Sequence, residues 1–427
     1  MDKRFEIWYN NLLKSFIIFN FYVRVIFTML KGKNVLVCVT GGIAAYKMAN
    51  CVSMLVKLHA NVDVLMTKNA TNFINPIVFE TLTSNKCTID TFDRNFKFDV
   101  EHIALAKKAD VCLISPATAN VIGKIANGIA DDMVTTTVMA CTCKVIIAPA
   151  MNTAMYRNPI VQNNLEKLRN YGYEIIAPAT GHLACGDDGE GKMPPEEELV
   201  DYVLKEAAHK KDMKGLKVIV SAGPTQEPMD PVRYITNHST GKMGYELAKA
   251  AVRRGAEVTL VSGKTDLPPV RFAENVNVVS ANDMFEAFKS RFKDFDIIIK
   301  AAAVADYRPK EIADNKIKKK DGEMTIELVR NPDIIKYMGE NRRDGQFICG
   351  FSMETENMIE NSRAKIAKKN IDMIVANNLK QSGAGFGTDT NIVTIITDDE
   401  TLQLEKMSKE SVSNEILSFI LKKTNRI

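Results

Sequence analysis

The chain has 427 residues, enough for two or three domains at roughly 100–200 residues each. Its 56 lysines and arginines against 52 aspartates and glutamates leave a net charge of +4, which excludes a polycationic tail protein and argues against a dedicated nucleic-acid binder. A hydrophobic content of 46% with 25% charged residues excludes general disorder. The eight cysteines (Cys38, Cys51, Cys87, Cys112, Cys141, Cys143, Cys185 and Cys349) are scattered without Cys-x-x-Cys spacing, so neither a disulfide scaffold nor a zinc ribbon is expected. A reducing, cytoplasmic setting with mostly buried thiols is the expectation.

Residues 1–31 read as an N-terminal extension, either translated upstream sequence or a dispensable addition, with Met29 ahead of Leu30-Lys31-Gly32-Lys33 and the first strand looking like a natural domain start. Its apolar run from Phe16 to Leu30 is interrupted by Asn20 and Arg24 and falls short of the roughly 20 residues of a membrane span. No membrane association is therefore expected, a peripheral anchor being the alternative. From residue 32 the chain alternates short buried strands with helical stretches. Asn34–Thr40 is a continuous β-branched run, followed by Gly41-Gly42 and a helix with Met48, Cys51, Val52 and Leu55 on one face. Val62–Met66, Val111–Ser115, Lys144–Pro149 and Glu174–Pro178 repeat the strand pattern.

Around Lys205–Gly215 the apolar period is lost and charge accumulates, as in a linker. A second unit then opens with a strand at Leu216–Ser221 and a helix near Gly244–Arg254. Further strands are expected at Glu257–Val261, Asp296–Ala301, Phe347–Gly350, Met373–Ala376 and Asn391–Thr397. The fold class is α/β: two open doubly wound sheets in series, with domains at 32–204 and 216–427 joined by a linker at 205–215. In such sheets, ligands gather at the carboxyl ends of the strands.

Several segments fall at those ends. Gly41-Gly42 and Ser115-Pro116-Ala117-Thr118-Ala119-Asn120 each join a strand to a helix, where backbone amides can receive a phosphate. A Gly-Gly turn or an ordinary helix cap would look the same. His102 is a lone histidine, a type more often structural than catalytic. Asn152 projects from a strand end in Pro149-Ala150-Met151-Asn152 and could bind a carboxylate. Cys185 stands apart from the other cysteines in a polar glycine-rich loop, LACGDDGEGKM, where a thiol can act as an acid.

In the second unit, Asn237-His238-Ser239-Thr240-Gly241-Lys242 leads into a helix but fails as a Walker A motif, because position 236 is Thr and Met243 follows the lysine. Its amides and Lys242 could still hold phosphate. The small residues of Lys300-Ala301-Ala302-Ala303-Val304-Ala305-Asp306 would let a base or ribose approach the backbone. Lys316-Ile317-Lys318-Lys319-Lys320 is either a solvated basic loop or a source of charge for a triphosphate.

GGIAAYK, the His102 segment, SPATAN, GIADD, PAMN and LACGDDGEGKM together resemble the decarboxylase half of the bifunctional phosphopantothenoylcysteine decarboxylase / phosphopantothenate–cysteine ligase family of bacterial coenzyme A biosynthesis. SAGPTQEPMDPVRYITNHSTGKMG, AAAVADYRP, KIKK, RNPDI, GFSMET, the Lys365/Lys369 pair and GFGTDTN resemble its ligase half. The resemblance implies a flavodoxin-like domain holding FMN at Gly41, Gly42, Ser115, Thr118 and Asn120, followed by a Rossmann-like ligase domain. In the first, it implies that His102 acts as a base, Asn152 holds the substrate carboxylate and Cys185 protonates the product carbon. The flavin would supply the electron sink that loss of CO2 requires.

In the second, it implies an acyl-cytidylate intermediate contacted by Asn237 and charge stabilisation by Lys316. Lys300, Ala301, Ala302, Asp306, Lys316, Pro332, Asp333, Ile334, Ile335, Phe351, Lys365 and Lys369 would bind CTP. Magnesium or manganese would be held mainly through the CTP phosphates, with no protein ligands assigned. The implied partners are 4′-phosphopantothenate, cysteine, CTP and further copies of the chain, up to a dodecamer. Lys192 departs from the family's usual arginine and loses its bidentate geometry. Two alternatives stay open: an FMN decarboxylase with an inactive second domain, and a non-catalytic flavoprotein regulator.

Overall fold

The computed structural model describes residues 29–92, 100–184, 186–318, 324–354, 357–378 and 388–426. The chain divides into two compact units, the first ending at His209 and the second starting at Lys210.

In the first unit, β1 (Asn34–Val39), β2 (Asn61–Met66), β3 (Val111–Ala117), β4 (Lys144–Pro149) and β5 (Glu174–Ile175) form a parallel sheet in the order β2-β1-β3-β4-β5. The strand β1 shows why. Val35, Val37 and Val39 enter one apolar cluster and Leu36 and Cys38 the other, so both faces are buried and helices must cover both. This strand order is that of the flavodoxin-like fold, whose crevice opens where consecutive connections diverge, here between β1 and β3. Beyond the sheet, β6 (Ala179–His182) and β7 (Asp188–Lys192) form an antiparallel hairpin, where the sequence suggested only a loop.

Leu30 is a correction to the expected extension. It is fully buried in the core, and its amide donates to Leu58 O at 3.0 Å, so the unit begins before residue 32. Residues 1–28 lie outside the described residues. At the other end, the helix Glu196–Ala207 runs into the segment read as a linker, because Val203, Leu204 and Ala207 pack into the core.

The second unit contains β8 (Lys217–Ala222), β9 (Glu257–Ser262), β10 (Glu274–Asn277), β11 (Ile297–Lys300), β12 (Phe347–Glu354), β13 (Met373–Asn378), β14 (Val393–Ile396) and β15 (Thr401–Gln403). Their order is β10-β9-β8-β11-β12-β13-β14-β15, with the first six parallel and the last two antiparallel. Counted along the chain, the parallel strands run 3-2-1-4-5-6, the Rossmann order, with its crevice between β8 and β11. Val218, Val220 and Ala222 face one core and Ile219 the other.

The helix Lys242–Arg253 lies close against β8 at Gly244, where a Cβ would stand 2.6 Å from Ala222 Cβ and 2.8 Å from Ser221 O. Gly244→Ala is therefore expected to cost roughly 1–3 kcal/mol through overpacking. A urea midpoint equal to wild type would show that the helix can slide away from β8.

Candidate functional site

In the first unit, the two glycine and hydroxyl turns of the sequence meet at the β1/β3 crevice. The Thr40 hydroxyl bridges them: it donates to Pro116 O, accepts from Thr118 N at 3.1 Å, and lies 3.3 Å from Thr118 Oγ1. Gly42 faces Thr118, and a Cβ added to it would sit 3.6 Å from Thr118 Cγ2. The helix Ala119–Ala126 starts at Thr118 with no side-chain cap and no acidic residue in its first turn, leaving its positive end open to an anion. Ser115 is fully buried, and its hydroxyl has no partner among the described residues.

A second arrangement surrounds Asn152. Its Oδ1 caps the helix Thr153–Arg157 through Ala154 N at 2.8 Å, and its Nδ2 donates to Asp187 Oδ2 at 3.0 Å. The β6–β7 hairpin is also tied to this loop by Met151 N, which donates to Gly191 O at 2.9 Å. Gly191 has φ +128°, and a Cβ there would collide with Met151 O. The hairpin turn is closed by Leu183 N donating to Asp187 O and Gly186 N donating to Leu183 O. Cys185 lies outside the described residues. Asn152 and the turn are thus adjacent, and His102 lies in the first turn of the helix Glu101–Lys108. Lys192 is exposed on β7, running beside Gly181 across the hairpin. Burial pushes the Cys51 and Cys87 thiols up to about 12, as expected of structural cysteines.

In the second unit, the loops after β8 and β11 are stitched together across the crevice. Ala302 N donates to Ser221 Oγ, Ala303 N to Gly223 O, and Ala305 N to Thr225 Oγ1. Asn237 Nδ2 donates to Ala303 O at 3.0 Å, which places Asn237 over the small-residue loop. Two cavities of about 440 Å³ each open here and share Lys300, Val304, Ala305, Asp306, Phe351 and Ser352 as a common wall. Arg330–Ile335, Lys365 and Lys369 line only the first. Asn237, Ser239–Gly244, Asn377, Asn391 and Lys409 line only the second.

The electrostatics are those of a site awaiting an anion. Burial and the neighbouring Lys369 push the Lys300 ammonium down to about 8, against the opposing pull of Asp333 and Asp306. Lys369 pairs with Asp333 at 3.0 Å. Burial raises the Asp333 pKa, but the hydrogen bonds from Lys369 and from Lys336 N outweigh it and hold the carboxyl below its ordinary value.

Eleven of the expected CTP contacts therefore fall together: Lys300, Ala301, Ala302, Asp306, Pro332, Asp333, Ile334, Ile335, Phe351, Lys365 and Lys369 all line one or both cavities. Lys316 lines neither and is exposed. Its neighbour Ile317 is clamped, however: Ile317 N donates to Asp230 Oδ2, and Arg233 donates to Ile317 O while pairing with the same carboxylate at 2.7 Å. Burial opposes ionisation of Asp230, yet the Arg233 side chain and three backbone amides hold its carboxyl well below the usual range. Lys319, Lys320, Thr355 of GFSMET and Gly385–Gly387 of GFGTDTN lie outside the described residues.

Sequence reasoning passed over Asp187, Ser352, Asn377 and Lys409. Ser352 lies within a quoted motif, and its buried hydroxyl on the common wall has no partner among the described residues. Asp187 also lies within a quoted motif, whereas Asn377 and Lys409 carry no local signal, since only the fold brings them to a site.

The residues present fit the implied groups. Two anion-tolerant turns and the unpartnered Ser115 hydroxyl suit a flavin phosphate. The first cavity carries Lys300, Arg330, Lys365 and Lys369 against Asp306 and Asp333, a cationic excess that suits a triphosphate. Among the described residues no cluster of three or more His, Cys, Asp or Glu has metal-binding geometry, and no helix is long and apolar enough to cross a membrane.

Comparison with known proteins assigns both units. Residues 26–208 match the Flavoprotein family, and residues 213–424 match the DNA/pantothenate metabolism flavoprotein C-terminal domain. The coenzyme A biosynthesis bifunctional protein CoaBC of Bacillus subtilis (strain 168) is 49% identical over 396 residues, covering 92% of this chain and 97% of that protein. The CoaBC protein of Escherichia coli (strain K12) is 40% identical over 395 residues, covering 92% and 97%. A crystal structure of the C-terminal domain of a CoaBC protein aligns at 41% identity with a TM-score of 0.44, covering 51% of this chain and 100% of that one. With two relatives of this identity matched along nearly their whole length, the chain belongs to the family of coenzyme A biosynthesis bifunctional proteins, CoaBC.

Proposed function

We propose that this chain carries out two reactions: CTP-dependent ligation of 4′-phosphopantothenate to cysteine in the second unit, and decarboxylation of the 4′-phospho-N-pantothenoylcysteine so formed in the first. The observation that carries this reading is the pair of cavities at the β8/β11 crevice. Their common wall lets a nucleoside triphosphate and a second acid meet.

Ligation needs activation, because a carboxylate is a poor electrophile. A carboxylate oxygen of the acid attacks the α-phosphorus of CTP and pyrophosphate leaves. The cysteine amine then attacks the acyl carbon, losing a proton as CMP departs. Lys300, Lys365 and Lys369 neutralise the triphosphate, Asn237 steadies the acyl-cytidylate from above the Ala303 carbonyl, and Lys316 meets the charge that develops on pyrophosphate. A divalent cation accompanies the nucleotide phosphates.

In the first unit, Gly41, Gly42, Ser115, Thr118 and Asn120 hold FMN. When bound, FMN supplies a two-electron sink for decarboxylation. Asn152 orients the substrate carboxylate, His102 removes a proton, and Cys185 returns one to the product carbon. Further copies of the chain would complete a homo-oligomer.

The direct test supplies 4′-phosphopantothenate, cysteine, CTP and magnesium to purified full-length protein. Both CMP and CO2 are expected, whereas CMP alone would leave only the ligase reading standing. Cys185→Ser is expected to keep the flavin absorption spectrum and fail to release decarboxylated product, and wild-type turnover would sink that role. Lys316→Gln should lower pyrophosphate release by at least about 100-fold with the flavin spectrum unchanged, so normal release would exclude Lys316.

The Lys300 ammonium predicts a pH signature. Bound triphosphate favours its charged form, so above pH 8 nucleotide binding takes up a proton and affinity falls as pH rises. Calorimetry in two buffers of different ionisation enthalpy should detect that proton. Equal heats in both buffers would overturn the assignment, and Lys300→Met should abolish the difference.

A further inference from the structure

One small hairpin touches both Asn237 and the segment that carries Lys316. Its strands Gln226–Pro228 and Tyr234–Thr236 pair antiparallel, with Glu227 opposite Ile235. The root of the hairpin is fixed beside the crevice. Gln226 N donates to Val279 O at 2.8 Å, Ala281 N donates to the buried Glu227 carboxylate at 3.0 Å, and Thr236 Oγ1 donates to Thr225 O at 2.8 Å. Asn237 follows immediately and reaches the Ala303 carbonyl.

The tip of the hairpin turns on Asp230, whose side chain is fully buried. Its Oδ1 accepts from Val232 N and Arg233 N, both at 2.8 Å, and that oxygen alone suffices for an Asx turn. Its Oδ2 accepts from Arg233 Nε at 3.0 Å and Nη2 at 2.7 Å, and from Ile317 N at 3.1 Å. Arg233 Nη2 also donates to Ile317 O at 2.6 Å, and Ala313 N donates to Met229 O at 3.0 Å. The tip therefore grips the 313–317 segment at both polar groups of Ile317.

A buried carboxylate is costly unless it is fully paired, and the turn by itself does not need the second oxygen. What Oδ2 adds is a fixed place for Ile317, a residue distant in the chain. Lys316 precedes it and carries its ammonium on a flexible four-carbon stem, so the fold can place that charge only through the backbone. A charge that acts on a transition state loses most of its effect when displaced by about 1 Å.

We propose that Asp230 is a positioning residue of the ligase reaction: with one oxygen shaping the hairpin tip and the other holding Ile317, it sets Lys316 at a fixed distance from Asn237. The proposal rests on the reading of Lys316 as the group that meets the charge on departing pyrophosphate.

Pyrophosphate release by the full-length protein, measured with 4′-phosphopantothenate and CTP, tests it together with calorimetric CTP binding. Asp230→Asn sets an amide NH2 or a neutral oxygen against Arg233 and Ile317 N. It is expected to lower kcat for pyrophosphate release about 10- to 100-fold while the KM and Kd for CTP stay within about 2-fold, because the lost interaction belongs to the transition state. Hydrogen exchange over residues 311–318 should quicken in the same variant. Arg233→Lys, which keeps the charge and loses the fork, should show a smaller loss of the same kind if Asp230→Asn fails to fold. Asp230→Asn combined with Lys316→Gln should be no slower than Lys316→Gln alone, since both changes remove one contribution. Normal release by Asp230→Asn, losses that multiply in the double variant, or an equal loss of CTP affinity would overturn the positioning role and leave Lys316 standing. Normal release by Lys316→Gln would defeat the reading of Lys316 and, even with faster exchange at 311–318, reduce Asp230 to a structural clamp.

Discussion

Burial of the central strands on both faces is the constraint on which everything else in this chain depends. Because β1 and β8 send alternate side chains into separate apolar clusters, helices have to cover both sides of each sheet. The connections then leave in opposite directions at one place per sheet, and a crevice opens at the carboxyl ends of the strands. In the first unit that place lies between β1 and β3, in the second between β8 and β11. The two sheets differ in strand order, but each converts the same packing requirement into a position where backbone amides and short side chains face a ligand.

What fills each crevice differs in charge. The first-unit turns offer neutral donors: hydroxyls, amides and an uncapped helix. The second-unit cavities gather lysines in a partly buried space: burial, and after it the nearby Lys369, depresses the Lys300 ammonium, while Lys369 itself pairs with Asp333. Such crowding is unfavourable in isolation and becomes favourable when an anion enters. Under the proposed function, a flavin phosphate would need only the former, and a triphosphate whose pyrophosphate departs would need the latter.

The strands were legible because a doubly buried strand is an unbroken apolar run; Asn34–Val39, Lys144–Pro149 and Lys217–Ala222 all carry that mark. The glycine-rich turns were legible for the opposite reason, as interruptions between such runs. The β6–β7 hairpin was not, since its strands read ATGH and DGEGK and are held by tertiary ties to Met151 and Asn152. Leu30 was misread because one buried residue following an ambiguous apolar stretch carries no period. Cys185 was singled out by its polar glycine-rich surroundings, whereas the roles expected of His102 and Lys316 came from motif resemblance, because a lone histidine and a lysine in a basic run carry no distinguishing spacing. Asn377 and Lys409 were invisible, since they stand 32 positions apart and only the packing of β13 and the C-terminal helix brings them to one cavity.

The common wall of Lys300, Val304, Ala305, Asp306, Phe351 and Ser352 has a thermodynamic corollary. Two ligands that touch the same residues cannot bind independently, and linkage requires each to change the affinity of the other by the same factor. Substitutions in the wall therefore report on that coupling and shift both dissociation constants, whereas substitutions at the far end of either cavity report on one ligand alone. Ser352 lines both spaces, and its buried hydroxyl has no partner among the described residues, so it belongs to the set whose substitution reports on that coupling.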